Sequence, residues 1–464
     1  MFRTGYFHAL LAAAGILITM APAAESQSGA AALPRRLTLP QAENLLIDRN
    51  LTVLAAKYQV DANRAGRLIA GYKPNPLLTI GAEQLPFYSP IRGSFPRLLT
   101  TNPDAGANPV YTLRIDKIWE RGGKRELRTS LADEQLQASE AQMLDAVRTQ
   151  MYQLRRAFTA ATLARENLRL AESSEQQYAQ TQALTQVKVD QGDIARVEIY
   201  RVTAGRLQFQ QAVLQARTGY DAATRDVLNL LGAREQDIAP AIAQTPGLLP
   251  VSAGSGDPQI PDSPGNAALD LISDFDDQPV FQSISDLRSI ALAERPDVLA
   301  ARHQLASAES AMQLAYAQRT RDVNTGYEYQ RVGNDHSVGF VLQIPLLLNN
   351  NQRALFTQAK AQKRAAEAQL KQAEVQAITD VEKAYQSYLS ARRVLDLYST
   401  QNLSQVDRLR SVAALSYREG ASSLFELLDA QRAYSQAMTA YNQARSDYQM
   451  TLWDLEQATG RALR

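Results

Sequence analysis

In this 464-residue sequence, the residues whose spacing could do work are acids set just beyond helix breaks. Gly192 and Gly420 each interrupt a long helical pattern, and Glu198 and Glu426 each follow six residues later, with Asp429 three beyond Glu426. Acids on a long helix are ordinarily a solvated face. Gathered around an axis, like charges repel one another and attract cations. A glycine at each break fits a left-handed turn that reverses the chain between antiparallel helices.

The residues of catalysis are scarce. The sequence has no cysteine, so it has no disulfide, no thiolate nucleophile, no Cys metal ligand and no N-terminal Cys to lipidate. Of three histidines, His8 falls in a leader-like segment, and His303 and His336 are far apart. They do not make a His-based metal site within one chain. Gly122-Gly123-Lys124 lacks the upstream glycine of a phosphate loop. Nothing singles out a carboxylate pair for hydrolysis. The reading is a protein without catalytic centre or cofactor. With 49 Lys+Arg against 48 Asp+Glu the net charge is +1, which gives no whole-molecule attraction for nucleic acid.

The elements that position these residues come in two copies. Residues 1–23 read as a secretory signal: Arg3, an apolar run from Phe7 to Met20, then Ala21-Pro22-Ala23. No later stretch is long and apolar enough for a membrane helix, so any membrane insertion must use β-strands. Residues 187–232 align without gaps on 415–460, pairing Gly192 with Gly420, Glu198 with Glu426, Tyr220 with Tyr448 and Gly232 with Gly460. The repeats are 24–232 and 283–464. Between them, 233–282 is rich in Pro, Gly and Asp and reads as a linker and equatorial region. Each repeat predicts helix, strand, strand and two long helices, at 125–190 and 194–231, then at 352–417 and 423–459. Leu144, Val147, Met151, Leu154 and Phe158 step by three and four, and Tyr434, Tyr441, Tyr448 and Leu455 by seven, the spacing of packed long helices.

Four segments change to period two, near 77–84, 110–117, 323–330 and 337–344. Leu113 and Ile115 oppose Arg114 and Asp116; Tyr327 and Tyr329 oppose Glu328 and Gln330; Ile80 opposes Gly81 and Glu83. The alternation fits a half-buried soluble sheet or a tilted membrane strand equally. Four strands leave two open edges, which lipid does not tolerate, so one chain cannot close a barrel; two chains would supply eight strands and three would supply twelve. In a barrel, Glu83, Arg114 and Glu328 would line the lumen. The proline-bearing stretch 85–108 and the short 331–336 are the two loops.

Several local motifs resemble the TolC-like outer-membrane factors, the outer membrane efflux proteins. They are Pro74-Asn75-Pro76-Leu77, Glu120-Arg121-Gly122-Gly123-Lys124-Arg125, Glu294-Arg295-Pro296-Asp297 and Ile344-Pro345-Leu346. Three of them look most like the branch serving heavy-metal cation pumps of the cobalt-zinc-cadmium type. That branch often has Arg-Asn-Gln-Gly after the last strand, where this chain has Asn350-Asn351-Gln352-Arg353. The resemblance implies a mainly α protein with a membrane β-barrel portion. It would be a homotrimer with a twelve-stranded barrel in outer-membrane lipid and a periplasmic α-helical barrel. Its partners would be a periplasmic adaptor and an inner-membrane pump of the RND type. The turns at Val187, Gly192, Asp193 and Ala195, and at Ser416, Gly420, Ala421 and Leu424, would be the partner-binding tips. Tyr417, Arg418, Arg196, Glu198, Glu426 and Asp429 would gate the aperture, with Ser422 standing where relatives carry an arginine.

Other readings compete. A drug-efflux or type I protein-secretion duct would have the same fold. A soluble periplasmic coiled-coil adaptor or stalk would explain helices and export, but not four amphipathic strands at repeat-matched positions. An exported enzyme on a helical scaffold lacks a catalytic motif.

Overall fold

The computed structural model describes residues 33–83, 109–234, 237–238, 269–275, 278–346, 352–398 and 400–463. The expected leader, the loop 85–108, most of the linker 233–282, and Asn350 and Asn351 lie outside them.

Each repeat starts with a short helix and a corner. In the first, β1 (Arg36–Thr38) leads into α1 (Leu39–Arg49) and α2 (Leu51–Gly71). Thr38 caps α1 with a reciprocal box to Gln41, and Asn50 caps α2 by accepting from the amides of Thr52 and Val53. Strands β2 (Leu77–Glu83) and β3 (Val110–Trp119) follow, then the long helices α3 (Lys124–Asp190) and α4 (Val197–Leu230). At 67 residues α3 spans on the order of 100 Å at 1.5 Å per residue. Strand β4 (Asp270–Ile272) precedes the second repeat: α5 (Ile284–Glu294), α6 (Pro296–Ala317), β5 (Val323–Val332), β6 (Asp335–Gln343), α7 (Arg353–Leu397), α8 (Thr400–Arg418) and α9 (Leu424–Thr459). No described helix is long and apolar enough to cross a membrane.

One feature details the sequence reading and one departs from it. Within the stretch 233–282, expected as a linker and equatorial region, β4 pairs in parallel with β1 and sets Leu269 and Leu271 into the core beside Leu37, Leu154, Phe158 and Leu231. The helix expected over 352–417 is broken at Tyr398, whose backbone leaves the helical region at φ −89°, ψ 43°. There the Asn402 side chain donates to the carbonyl of Leu397 at 2.7 Å, taking an acceptor the helix would otherwise use.

The remaining helix faces pack as their spacing requires. Helix α3 runs along α2, α4, α6 and α9, and α7 runs along α5, α6 and α9. The seven-residue tyrosine ladder of α9 meets α7 and α8: Tyr448 contacts Tyr388, Tyr441 contacts Tyr398, and Tyr434 lies under Arg410.

At mid-height the duplication is visible atom by atom. Asn50 and Arg295 occupy the same corner with nearly the same backbone, at φ −63°, ψ 122° and φ −63°, ψ 124°. Asn50 Nδ2 donates to the carbonyl of Leu230 at 2.8 Å, and the Arg295 guanidinium donates to the repeat-equivalent Ala458 at 3.2 Å. Gly232 and Gly460 sit opposite these corners with positive φ, and a Cβ on either would press against corner backbone at 3.0 or 3.1 Å.

Arg295 is buried and holds Asp297 at 2.7 Å and Asp380 at 3.1 Å, with Arg148 3.9 Å from Asp297. Burial alone would raise the Asp297 pKa. The Arg295 hydrogen bond and charge, with Arg148 and the Val298 amide, reverse this and hold it below the ordinary value. A carboxylate with a depressed folded pKa adds stability above its unfolded value, about 3.9, and that stability is lost as pH falls through the folded value. Asp297→Asn should therefore flatten the fall in melting temperature below about pH 4. Arg295→Met leaves two acids without their cation and should cost about 3–5 kcal/mol by denaturant unfolding at neutral pH.

Candidate functional site

Both long hairpins turn at a glycine. After α3, Gly192 takes φ 83° and the Asp193 amide reaches back to the carbonyl of Lys188 at 2.9 Å. After α8, Gly420 takes φ 77° and the Ala421 amide reaches back to Ser416 at 2.8 Å. A left-handed residue is what lets these amides satisfy the last helical carbonyls. A Cβ at either glycine would meet nothing within 4 Å, so backbone conformation alone selects glycine here.

The return helices start differently. Ser423 caps α9 and its hydroxyl accepts from the Glu426 amide, while the Glu426 carboxylate accepts from the Ser423 amide, each at 3.3 Å. Arg196, before α4, gives no side-chain cap. Glu198 instead pairs with Arg201 at 2.9 Å. The repeat-equivalent acids thus have different local partners. Glu426, Asp429, Arg196 and Arg418 are all exposed. None of the two arginines' ion pairs to these acids forms within the described chain.

The two hairpins are fastened by Tyr417. It is buried among Tyr178, Val202, Leu424, Leu427 and Leu428. Its hydroxyl lies 3.0 Å from Thr185 Oγ1, and the Lys188 ammonium donates to its carbonyl at 2.6 Å while sitting 4.7 Å from the ring centre. Thr185 and Lys188 were not singled out in the sequence, because a partner more than 200 residues away leaves no periodic signal. Between the turns lies a cleft of about 790 Å³. Its walls include Val187, Asp193, Ala195, Glu198, Arg418 and Gly420, so both tips and part of the expected gate share one surface. Leu424 and Tyr417 close its floor.

At the opposite end the four long strands form one antiparallel sheet in the order β2-β3-β5-β6, and the two repeats join where β3 pairs with β5. Register sets Arg114 opposite Glu328 and Asp116 opposite Gly326. Arg114 holds Asp116 at 2.8 Å and reaches Glu328 at 3.6 Å. Gly326 makes room for this group: a Cβ there would fall 2.6 Å from Asp116 Oδ1. Arg114 and Glu328 are brought together as their alternation implied, while Glu83 lies at the far end of β2, opposite Val110. The other face carries Ile80, Leu113, Ile115, Tyr327, Val338 and Phe340. It is open: Ile80 is 76% exposed and Val338 81%. A half-buried soluble sheet covers this face from within its own chain, which the described residues do not do here. Among the described residues no group of acids or histidines could hold a metal ion.

This fold is shared with solved outer-membrane channels. The chain superposes on the outer-membrane channel OprN with a TM-score of 0.68 at 20% identity, covering 92% of this chain and 90% of the other. On the outer membrane protein VceC from Vibrio cholerae the TM-score is 0.67 at 17% identity, covering 92% and 97%. Residues 287–461 match the family model of the outer membrane efflux protein. Sequence similarity extends to the alkaline protease secretion protein AprF of Pseudomonas aeruginosa, 25% identical over 364 residues, 74% of this chain; the chain spans 66% of that relative's length. In its second repeat the chain is similar to the outer membrane efflux proteins, and along most of its length it shares the fold of solved outer-membrane channels.

The turns yield two tests. Gly420→Ala should lower stability by about 1 kcal/mol through backbone strain alone, and Gly420→Asn by less, measured by thermal unfolding. Tyr417→Phe should cost about 1 kcal/mol and raise protease cleavage near 416–424, because the hairpins lose a buried hydrogen bond between them.

Proposed function

We propose that the chain is the exit duct of a tripartite efflux system, a passive homotrimeric channel in the outer membrane of a Gram-negative-type bacterium. The observation that carries this is the sheet. Its apolar face is exposed, its polar face carries an ion-paired lining, and the outer edges of β2 and β6 have no partner strand among the described residues. Lipid against the apolar face and neighbouring copies at both edges satisfy all three conditions, and three copies give twelve strands. The long helices then form a periplasmic tube below the barrel, with Glu83, Arg114 and Glu328 on the barrel lumen.

The tips at Gly192 and Gly420, with the cleft between them, are the docking site for a periplasmic adaptor and an RND-type inner-membrane pump. Tyr417 fastens the two hairpins at the aperture. Glu426 and Asp429, repeated three times around the axis, make an acidic constriction that favours cations, with Arg196 and Arg418 exposed beside it. Heavy-metal cations are the substrate this reading favours, on the Pro74-Asn75-Pro76 and Arg295-Pro296-Asp297 resemblances. Protein secretion is the second reading, on the similarity to the alkaline protease secretion protein.

Fractionation with heat-modifiable gel migration tests the duct. A heat-sensitive trimer in the outer membrane is expected, and a soluble periplasmic monomer would sink the proposal. Single-channel recording tests the constriction. Glu426→Gln keeps the helix cap and removes the charge, so with Asp429→Asn it should lower cation conductance and weaken cation selectivity; unchanged currents would eliminate the acidic ring.

A further inference from the structure

The end of the sheet that joins the helices carries unmatched positive charge. Three acids lie there, and each has its own cation. Glu120 pairs with Arg128, Asp322 with Lys124, and Glu126 with Arg125. Lys73 and Lys117 are exposed, and neither has an ion pair with a described residue. Both line one cleft of about 210 Å³ between the start of β2, the end of β3 and the start of α3. The whole chain is nearly neutral, so this excess is local.

The direction of Lys117 is set by strand alternation. It shares the apolar face with Leu113, Ile115 and Trp119, which is the face open to the surroundings. Its ammonium sits 4.2 Å from the centre of the Trp119 ring, whose Nε1 donates to Thr325 at 2.9 Å. A tryptophan ring fixed at the end of an apolar strand face marks the depth of a bilayer's polar boundary. A lysine on such a face belongs where its ammonium reaches headgroups.

We propose that Lys73, Lys117 and Trp119 form a binding site for the phosphodiester headgroup of an anionic phospholipid in the leaflet facing the helices. The two ammonium groups converge on the phosphate, and Trp119 lies along the glycerol and upper acyl chain. This rests on the membrane reading above. A lipid is favoured over a soluble anion because the cleft opens beside the exposed apolar strand face, which a soluble anion leaves uncovered.

The chain has two tryptophans, Trp119 and Trp453. Trp453 belongs to the helices, donating to Thr159 at 3.0 Å. The Trp453→Phe variant therefore reports Trp119 alone. Placed in nanodiscs, its fluorescence is read against brominated phosphatidylglycerol and brominated phosphatidylcholine at equal mole fraction. Stronger quenching by phosphatidylglycerol is expected, with the preference falling about fivefold for each of Lys73→Gln and Lys117→Gln. Lys117→Arg should retain it. Equal quenching by both lipids, unchanged in the glutamine variants, would overturn the headgroup site and leave the membrane reading intact. No quenching by either lipid would remove the sheet from the bilayer and take both readings with it. Displacement of phosphatidylglycerol by millimolar inorganic phosphate would reassign the site to a soluble anion and overturn the lipid assignment. Heat-modifiable migration of each variant controls for folding.

Discussion

The structure depends on a sheet whose apolar face is left unburied by the described residues of its own chain. Strands β2, β3, β5 and β6 pair with one another, β3 with β5 joining the two repeats, yet Ile80, Tyr327 and Val338 remain exposed and the outer edges of β2 and β6 have no partner among the described residues. Backbone groups at an open edge and apolar side chains in water are each costly, and a single chain relieves neither. The helical part answers to a different rule. Its long hairpins bury small and hydroxylated residues, such as Ala161, Thr162, Thr181 and Thr185, whose hydroxyls return to the carbonyl four residues earlier. Such residues let helices approach closely along great length without a large apolar core.

Between these two regimes stands the mid-height corner. Asn50 and Arg295 solve the same steric problem with different chemistry, one by a neutral amide and the other by a buried guanidinium held between two acids. The paired β1 and β4 strands close the core on one side of it. The repeat is therefore a shared backbone plan into which each copy has written its own polar network.

The sequence showed this plan where a period carries it. Strand faces follow from alternation, the helix seam from the tyrosines of α9, and the turns from Gly192 and Gly420, whose positive φ leaves few other residues suitable. Burial, which decides between a soluble and a lipid-facing sheet, is a tertiary property and was not legible in the strands themselves. The break at Tyr398 rests on one side chain outcompeting a helical hydrogen bond, and β4 is three residues within a proline-rich stretch. Glu426 is legible as an acid at a repeat-matched place, and its capping bond to Ser423 has a signal in Ser-Leu-Phe-Glu, the spacing of a capping box. The fastening of Tyr417 by Thr185 and Lys188 joins residues from different repeats and needed coordinates.

The charged group on the polar strand face also bears on assembly. Because side chains alternate strictly, a one-residue slip of β3 would carry Arg114 and Asp116 to the apolar face, and a slip of β5 would do the same to Glu328. In a bilayer an arginine so displaced costs about 2–4 kcal/mol near the midplane. Gly326 adds a second check, since any residue with a Cβ brought to its place would collide with Asp116. In the proposed barrel a misregistered sheet would thus be rejected at insertion, which would make this small ion-paired group a proofreading device.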